Sequence, residues 1–487
     1  MTEPVISGFH PDPTICRAGD SYYIATSSFE YSPGIPIHRS NDLVTWELVG
    51  NALDRPSQLR PSPGTPSSGI YAPTLRHHKG RFWLATTDTS RPFDGQLIVN
   101  ADHAEGPWSD PVFVPGAVGI DPDLTWDDEG TAHLSWKSFH PDLLGIASAP
   151  IDLASGELLS DPLILWEGTG LPHIEAPHLY KVGKWWYLLV AEGGTERGHV
   201  ASVARSRSLR GPYEGAPGNP ILTHRSTSSS VQNTGHGDLI QTVTGEWAMV
   251  YLGVRPRGIG HGFHVNGRET FIAGIDWRDG WPVVREDRFQ VPARDHSFTD
   301  GFSDASLHPR WVAPGTSPTA FSTPCPQGLN LVATPGLESR PILLTRALDP
   351  SWSAEFRLDV SRGSARVILR IDDEHWYALT IDEKHIEVTL CAGPIISAPV
   401  RMPSSTHAPL TVKMSVHQRP APEWGAHPEP DLIGFALVNA DGTELPLGEF
   451  DGRYLSTEVA GGFTGRMWGV EILHGNVIVE SVSYTTG

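Results

Sequence analysis

His10-Pro11-Asp12-Pro13-Thr14-Ile15 is the first copy of a short motif that recurs in the amino-terminal 290 residues. In each clear copy a proline stands two residues before Ile or Leu, and a Gly-containing turn and an apolar strand follow. The later copies read Tyr71-Ala72-Pro73-Thr74-Leu75, Ile120-Asp121-Pro122-Asp123-Leu124, Ile174-Glu175-Ala176-Pro177-His178-Leu179 and, more weakly, Gly237-Asp238-Leu239-Ile240. Counted from Asp12, Ala72, Asp121, Ala176 and Gly237, the spacings are 60, 49, 55 and 61 residues. Such a period of short strands and tight turns predicts a β-propeller of five blades.

Each copy is expected to form the innermost strand of its blade, because one blade cannot bury both faces of its sheet and must stack with others around an axis. The residue before each proline should be extended, as X-Pro sterics favour. Asp12 and Asp121 occupy the same motif position, and Glu175 lies one residue before it. The motif therefore predicts three carboxylates at one mouth of the central channel. An Asp-Pro pair alone is ordinary turn chemistry, but several clustered acids are costly and favour a functional site.

Composition agrees with an all-β protein of two domains. The 487 residues include 50 glycines and 43 prolines, and the formal net charge is −20. This charge argues against nucleic acid or an anionic membrane as a partner. The first residues show no signal peptide and no apolar run reaches membrane-spanning length, so we expect a cytoplasmic protein. Cys16, Cys325 and Cys391 are too few for a disulfide framework or zinc site and are interpreted as buried thiols in a reducing compartment.

A domain boundary is expected near residues 290–300, with a propeller over 1–292 and a second domain over 298–487. Beyond the boundary apolar and charged residues alternate with period two, as in Glu355-Phe356-Arg357-Leu358-Asp359-Val360. Strands of this kind about ten residues apart predict an antiparallel β-sandwich. The loop from Pro420 to Pro430 is expected to be exposed. The sandwich could be a carbohydrate-binding module or a structural buttress, and the sequence leaves both open.

Two aromatic residues are candidates for contact with a ligand. Phe29 and Tyr71 lie near the strands that begin at Asp12 and Ala72, where loops would rim the channel mouth. Sugar rings have apolar faces that pack on aromatic side chains while their hydroxyls bond to polar groups. A role in the hydrophobic core is the alternative for both residues.

The propeller segment resembles glycoside hydrolase family 43. The resemblance covers residues 4 to about 290 and rests on motifs in the family's order. These are Gly8-Phe9-His10-Pro11-Asp12-Pro13-Thr14-Ile15, Tyr71-Ala72-Pro73, Gly119-Ile120-Asp121-Pro122, Glu175-Ala176-Pro177-His178-Leu179-Tyr180, Ala191-Glu192-Gly193-Gly194-Thr195, Thr234-Gly235-His236-Gly237-Asp238 and Gly267-Arg268-Glu269-Thr270. The resemblance implies a five-bladed propeller followed by a concanavalin-like β-sandwich. Asp123, Gly237 and Val265-Asn266 depart from the usual family pattern, which leaves the sugar preference open.

The resemblance also implies roles for single residues. Asp12 matches the general base, Glu175 the general acid, and Asp121 the residue that orients the acid and raises its pKa. Arg268 matches an arginine that binds substrate hydroxyls. His236 matches a histidine near the channel centre that binds calcium in some relatives; a buried structural histidine or a water site is the alternative. No cofactor is required, although calcium remains open at His236.

The implied reaction is removal of a terminal pentose, β-D-xylose, from xylo-oligosaccharides. Hydrolysis needs one protonated carboxyl at the leaving oxygen and one ionised carboxylate to activate water. Because the base and acid come from different blades, we expect room for a water between them and inversion at the anomeric carbon. An α-L-arabinofuranosidase acting on arabino-oligosaccharides, or an enzyme with both activities, is the alternative within this class. A non-catalytic carbohydrate-binding propeller is the alternative outside it. The sequence does not decide whether the protein forms a homo-oligomer.

Overall fold

The computed structural model describes residues 3–258, 262–404, 409–420 and 429–487, and in this part of the chain the protein is all-β. Five small antiparallel sheets follow one another along residues 14–285, and a larger set of strands occupies the remainder. The predicted architecture, a five-bladed propeller followed by a β-sandwich, is confirmed. No helix in the described part of the chain has the length and hydropathy that a bilayer span requires.

The propeller strands follow the order of the sequence. Blade 1 contains β1 (Thr14–Ala18) and β2 (Ser21–Ala25), then, after the separate strand β3 (Tyr31–Ser32), β4 (Gly34–Ser40) and β5 (Glu47–Leu53). Blade 2 contains β6 (Thr74–His78), β7 (Arg81–Thr87), β8 (Gln96–Ala101) and β9 (Val112–Val114), with a 3₁₀ turn at Pro92–Asp94. Blade 3 contains β10 (Gly119–Trp126), β11 (Ala132–Ser138), β12 (Gly145–Asp152), β13 (Glu157–Leu158) and β14 (Leu163–Trp166).

The last two blades have four strands each. Blade 4 contains β15 (Glu175–Val182), β16 (Trp185–Glu192), β17 (Val200–Ser206) and β18 (Glu214–Gly215). Blade 5 contains β19 (Gln232–Gln241), β20 (Trp247–Val254), β21 (Glu269–Arg278) and β22 (Trp281–Arg285). The first strands of the blades, β1, β6, β10, β15 and β19, contact one another in a closed ring. The amino-terminal segment joins blade 5, because Val5 N–H donates to the Thr270 carbonyl at 2.8 Å.

The start of the innermost strands carries a recurrent bulge that the sequence analysis did not predict. The register shifts between Ile120 and Asp123 in β10, between Glu175 and His178 in β15, and between Gly235 and Asp238 in β19. The first bulged residue of each, Asp121, Ala176 or His236, has a φ of 48° to 56°. Asp12, two residues before the start of β1, has a φ of 54°. The expectation of an extended residue before these prolines was therefore wrong.

The bulge also corrects the alignment of the fifth copy. His236, not Gly237, is equivalent to Asp121 and Ala176, and Gly237 takes the place of the proline. A non-glycine residue in the left-handed region costs about 1 kcal/mol or more and is retained where the surrounding structure holds it. Three of the four left-handed residues, Asp12, Asp121 and His236, are ones that the sequence assigns to the site, and the fourth, Ala176, follows Glu175 directly.

The carboxy-terminal strands form a sandwich. They are β23 (Phe298–Asp300), β24 (Ala313–Pro314), β25 (Ser322–Cys325), β26 (Gly328–Val332), β27 (Ile342–Arg346), β28 (Trp352–Arg370), β29 (His375–Ile381), β30 (His385–Ala392), β31 (Ile395–Pro403), β32 (Leu410–His417), β33 (Leu432–Val438), β34 (Glu444–Asp451) and β35 (Met467–Thr486). Short helical turns lie at Pro318–Ala320, Gly452–Tyr454 and Thr457–Ala460.

Two long bulged strands, β28 and β35, pair along nearly their whole length and belong to both layers of the sandwich. The first part of β28 pairs with β32, and the last part pairs with β29. Trp311, Trp352 and Trp468 are buried in the core between the layers. The alternating pattern noted around Glu355 is the first part of β28, with its apolar residues in this core.

The two domains are joined by strand pairing as well as by side chains. β24 of the sandwich pairs with β3 of the propeller through Ala313 and Ser32. The predicted boundary at 292–298 falls between β22 and β23, in a segment without strands. Of the loop from Pro420 to Pro430, residues 421–428 lie outside the described part of the chain. The three cysteines are unpaired, and Cys325 is only partly buried, which corrects the expectation that all three are buried.

Candidate active site

Asp12 lies two residues before the innermost strand of blade 1 and is held as an ionised carboxylate. Arg268 Nη1 donates to Asp12 Oδ1 at 2.7 Å, and Ser27 Oγ donates to Oδ2 at 2.5 Å. Burial of Asp12 opposes ionisation, but the charge of Arg268 and the Ser27 hydrogen bond outweigh it and lower the pKa of Asp12 below its usual value. The carboxylate is therefore available as a base at neutral pH.

Arg268 directs both terminal nitrogens of its guanidinium group to Asp12. Few of its N–H groups are therefore available to bind substrate hydroxyls. Besides the bond to Oδ1, its Nη2 lies 3.4 Å from Asp12 Oδ2, and its Nη1 also donates to Thr195 Oγ1 at 3.0 Å. Its buried Nε has no hydrogen-bond partner among the residues that the structure describes. Arg268 is thus placed beside the site, and its role in binding hydroxyls stays a prediction.

Asp121 and Glu175 form a second acidic group on neighbouring blades 3 and 4. The Ala176 N–H, next to Glu175, donates to Asp121 Oδ2 at 3.2 Å. Burial raises the pKa of Asp121 well above its usual value, and the negative charges of Glu175 and Asp12 add to the effect. Burial, followed by the charge of Asp12, raises the pKa of Glu175 to about 7. Because like charges resist joint ionisation, this pair retains a proton at neutral pH.

The site therefore contains an ionised carboxylate, Asp12, and a pair of carboxyls, Asp121 and Glu175, that retains a proton. Asp12 is stabilised as a carboxylate by a guanidinium and a hydroxyl, whereas burial and neighbouring negative charges favour a protonated form of the Asp121–Glu175 pair. Pairs of carboxyls whose environments push their pKa values apart are typical of sites that combine a general acid with a general base. The structure thus brings together the three acids that the repeat predicted.

His236 lies next to Asp12 and is neutral. Its Nδ1 is 3.5 Å from Asp12 Oδ1, and burial lowers the pKa of His236 to about 3. Calcium takes six to eight oxygen ligands, but the carboxylate nearest His236 is already paired with Arg268. In the described ranges no group of three or more His, Cys, Asp or Glu side chains is arranged to hold a metal ion. The donor set around His236 does not fit calcium, and the alternative of a buried structural histidine suits the geometry.

Below the acids the channel is filled by a charged network to which every blade contributes. Arg76 of blade 2 pairs with Asp123 of blade 3 at 2.6 Å and with Asp238 of blade 5 at 2.8 Å. Thr14 of blade 1 donates to Asp238 at 2.7 Å, and His178 of blade 4 lies 3.2 Å from Asp123. This network closes the channel beneath the site. It also accounts for Asp123, where the sequence departs from the family pattern: its carboxylate neutralises Arg76.

An aromatic wall stands beside Arg268 and includes a residue of the second domain. Phe29 packs against Phe463 of the sandwich with ring centroids 5.7 Å apart and against Tyr71 at 5.0 Å. Arg268 lies over both Phe29 and Phe463, with distances of 5.7 and 5.6 Å to the ring centroids. Phe29 is only 2% exposed, because Phe9 packs on it as well. Phe29 therefore supports the wall, while the half-buried Tyr71 and Phe463 retain surface for a ligand.

Ser67 ties the second domain to this wall. Its Oγ accepts a hydrogen bond from Phe463 N–H at 2.8 Å, and its carbonyl accepts one from the Tyr71 hydroxyl at 3.0 Å. Its own N–H donates to the buried carboxyl of Glu30 at 3.0 Å. One propeller residue thus fixes two aromatic side chains of the wall.

A cleft of about 870 Å³ extends from Arg268 between the two domains. Its propeller side includes Thr195, Arg197 and Asn233, and its sandwich side includes Glu458 and Phe463. It is large enough for a short oligosaccharide, as binding sites for small ligands commonly measure about 300–1,000 Å³.

Sequence reasoning missed Ser27, Ser67 and Phe463. Ser27 lies 15 residues after Asp12, and no spacing rule directs its hydroxyl at that carboxylate. Phe463 follows the glycine pair Gly461-Gly462, which indicates a tight loop. Nothing in the sequence places that loop against residues almost 400 positions earlier.

Comparison with known proteins gives consistent matches. The family model described as Glycosyl hydrolases family 43 matches residues 1–282. A xylosidase/arabinosidase from Butyrivibrio fibrisolvens is 44% identical over 58% of this chain and 56% of its own length. This match therefore spans little more than half of that relative. A non-reducing end α-L-arabinofuranosidase from Bacteroides ovatus is 33% identical over 95% of this chain and 89% of its own. The crystal structure of a xylan β-1,4-xylosidase from Bacillus halodurans C-125 superposes over all of both chains with a TM-score of 0.85 at 30% identity.

Proposed function

We propose an activity from the premise that this chain belongs to glycosyl hydrolases family 43: it is an inverting exo-glycosidase that removes terminal β-D-xylose from xylo-oligosaccharides. The observation that carries the proposal is the contrast between Asp12, held ionised by Arg268, and the protonated Asp121–Glu175 pair. The membership rests on the match over residues 1–282 and on the relative from Bacteroides ovatus that aligns with nearly the whole chain.

In the proposed reaction Glu175 gives its proton to the glycosidic oxygen as the bond between that oxygen and the anomeric carbon breaks. A water attacks the anomeric carbon from the opposite face of the sugar, and Asp12 accepts the proton that the water loses. Asp121 and Glu175 together retain a proton until substrate binds, because two neighbouring buried carboxyls resist joint ionisation. The step consumes only water and needs no redox cofactor.

The exo mode follows from the closed surroundings of the acids. The charged network around Arg76 fills the channel beneath them, and the loop that carries Phe463 covers one side of the wall. A pocket closed in this way favours the terminal unit of a chain over an internal one. The cleft beside Arg268 would then hold the remaining sugars.

An α-L-arabinofuranosidase activity is the second candidate, because similar relatives carry both kinds of name. The test compares kcat/KM for p-nitrophenyl β-D-xylopyranoside and p-nitrophenyl α-L-arabinofuranoside, followed by xylobiose and an arabinose-branched xylotriose. A preference for the xyloside and release of xylose from xylobiose support the proposal. A preference for the arabinofuranoside replaces it with the second candidate, and no hydrolysis of either substrate favours a carbohydrate-binding propeller.

Asp121→Asn is expected to shift the basic limb of the pH profile of kcat/KM to lower pH. Burial and the charge of Asp12 raise the pKa of Glu175 to about 7, Asp121 and Glu175 interact electrostatically, and loss of one of two such interacting carboxyls lowers the affinity of the other for its proton. The acid is then deprotonated at a lower pH than in the parent protein. The profile is measured with an aryl xyloside, with the exposed Asp128→Asn on the same blade as control. An unchanged basic limb with full activity would leave Asp121 a structural residue.

Phe463→Ala is expected to lower kcat/KM on xylobiose about tenfold, because loss of about 1.4 kcal/mol of aromatic contact corresponds to that factor. Phe93→Ala is the control, since Phe93 is an exposed aromatic of the propeller.

A chain ended near residue 295 should be insoluble or inactive on small substrates, because it loses Phe463 and uncovers β3. A soluble, fully active propeller fragment would show that the sandwich is an independent module.

A further inference from the structure

A second cavity, of about 310 Å³, lies between the amino-terminal segment, blade 1 and the sandwich. Three arginines from separate segments line it: Arg294 of the interdomain linker, Arg310 before β24, and Arg346 at the end of β27. His38 of blade 1 lines it as well, and Trp46 contributes an apolar surface. None of these residues takes part in the proposed reaction.

The three guanidinium groups lack the acidic partners that buried arginines have elsewhere in this chain. Arg346 Nε donates to the Phe9 carbonyl at 2.6 Å, Arg294 Nη2 to the Val44 carbonyl at 3.1 Å, and Arg310 Nε to His308 Nδ1 at 3.0 Å. Over the described ranges no carboxylate lies within 4.0 Å of their side-chain nitrogens. By contrast, the buried arginines at positions 76, 268 and 466 are each paired with an aspartate.

Of the three arginines, Arg346 has the highest free-energy cost of burial. It is only 4% exposed, and its Nη2 has no hydrogen-bond partner among the described residues. Burial of a charge without a counter-charge is destabilising unless a ligand or partner supplies one. Burial and then the charges of Arg346 and Arg294 lower the pKa of His38 to about 3, so this histidine stays neutral and offers a hydrogen bond rather than charge.

The charges of Asp42 and Asp300 act on Arg294 and Arg310, but within the described residues neither carboxylate forms an ion pair with these arginines. Glu47 lines the cavity but pairs with Arg39 at 3.1 Å. Asp349 is paired with His296, and its Oδ1 lies 2.9 Å from His296 Nδ1. In a protein with a formal net charge of −20, three arginines without carboxylate partners at one cavity indicate a place for an anion. Guanidinium groups match the geometry of phosphate oxygens better than any other side chain.

We infer that the cavity lined by Arg294, Arg310 and Arg346 binds a small phosphate-bearing anion, separate from the proposed sugar site. The volume admits inorganic phosphate or the phosphate group of a small metabolite. The ligand would bridge the two domains, since Arg294 and Arg346 come from the linker and the sandwich while His38 belongs to the propeller. It would also lie close to the segment that carries Asp12, because Phe9 and His10 contact the cavity residues.

The test is isothermal titration calorimetry of the full chain at pH 7.5 and low ionic strength with inorganic phosphate, ribose 5-phosphate and ribose. We expect one saturable phosphate site per chain, and the double variant Arg294→Gln/Arg310→Gln should weaken phosphate binding at least tenfold. Tighter binding of ribose 5-phosphate would identify a phosphorylated metabolite as the ligand, and equal or weaker binding would identify phosphate itself. Arg294 and Arg310 are partly exposed, whereas Arg346 is buried. Replacing the first two therefore disturbs the fold less than replacing Arg346.

Arg357→Gln is the matched control, because Arg357 is an exposed arginine of the sandwich paired with Glu480. It should leave phosphate binding unchanged. No saturable binding of phosphate or ribose 5-phosphate, equal binding of neutral ribose, or full phosphate binding by the double variant would each overturn the inference. Circular dichroism and the melting temperature verify that the double variant is folded. None of these readouts depends on hydrolysis, so the inference stands or fails independently of the proposed function.

Discussion

Asp12→Asn is expected to lower kcat/KM on aryl xylosides and on xylobiose alike, by about 10³-fold, because loss of a general base typically costs 10²–10⁴-fold. Asparagine is uncharged and cannot accept the proton of the attacking water. Its amide is similar in size to the carboxylate and can still contact Ser27 and Arg268, whose bonds hold Asp12 in place. The effect should therefore appear in the rate with little change in fold, measured by steady-state kinetics and thermal unfolding.

The structure makes asparagine a better test than alanine at this position. Both substitutions remove the counter-charge of Arg268, but Asp12→Ala also removes the oxygen that accepts hydrogen bonds from Ser27 and Arg268, and leaving such buried donors without a partner costs about 1–3 kcal/mol more. Loss of activity in Asp12→Ala would then combine a chemical and a structural effect. Asp20→Asn, an exposed aspartate in the turn after β1, is the matched control and should retain full activity. Near-parental turnover by Asp12→Asn would remove Asp12 as the base.

Glu175→Ala is expected to lower kcat on xylobiose by about 10³-fold but to reduce activity much less on substrates whose leaving group needs no proton. The leaving alcohol of xylobiose is a poor leaving group unless it is protonated, whereas 2,4-dinitrophenolate departs unassisted. We propose Glu175 as the acid because burial and the charge of Asp12 raise its pKa to about 7, so that it holds a proton near neutrality. The measurement compares kcat for xylobiose and 2,4-dinitrophenyl β-D-xyloside.

The pattern across substrates is more informative than the loss itself. A structural defect at Glu175 would lower both rates in proportion, whereas loss of an acid separates them by a factor that grows with the basicity of the leaving group. Glu167→Gln serves as control, because Glu167 is an exposed residue shortly before blade 4. Equal losses on xylobiose and the dinitrophenyl substrate would assign Glu175 a role other than proton donation.

The sequence was sufficient for the architecture because the propeller repeats a local pattern. Each copy couples a proline or glycine to an apolar strand, and five such copies predict five blades without knowledge of their contacts. Equivalent positions in a ring face a common axis, so Asp12 and Asp121 could be placed together from their shared position in the motif. The bulge that orients these two residues has no signal of its own in the sequence. It reversed the expected backbone of the residues before proline and shifted the fifth copy from Gly237 to His236.

The parts of the site that the sequence did not predict depend on contacts between distant segments. Phe463 reaches Phe29 and Arg268 because β3 and β24 pair and bring the sandwich onto the propeller. Likewise, the motif was sufficient to predict that Arg268 belongs to the site. Its ion pair with Asp12, however, depends on the packing of blade 5 against blade 1. Sequence periodicity describes elements, whereas such contacts are properties of their assembly.

The anomeric configuration of the first product tests the central claim most directly. The claim is that Asp12 activates water for a single displacement while Glu175 protonates the leaving group. Proton NMR during the first minutes of hydrolysis of an aryl β-D-xyloside, before mutarotation mixes the anomers, reports the configuration of the released xylose. The account predicts that α-xylose appears first and that added methanol yields no methyl xyloside. Release of β-xylose first, or transfer of xylose to methanol with retained configuration, would indicate a covalent intermediate and contradict the account.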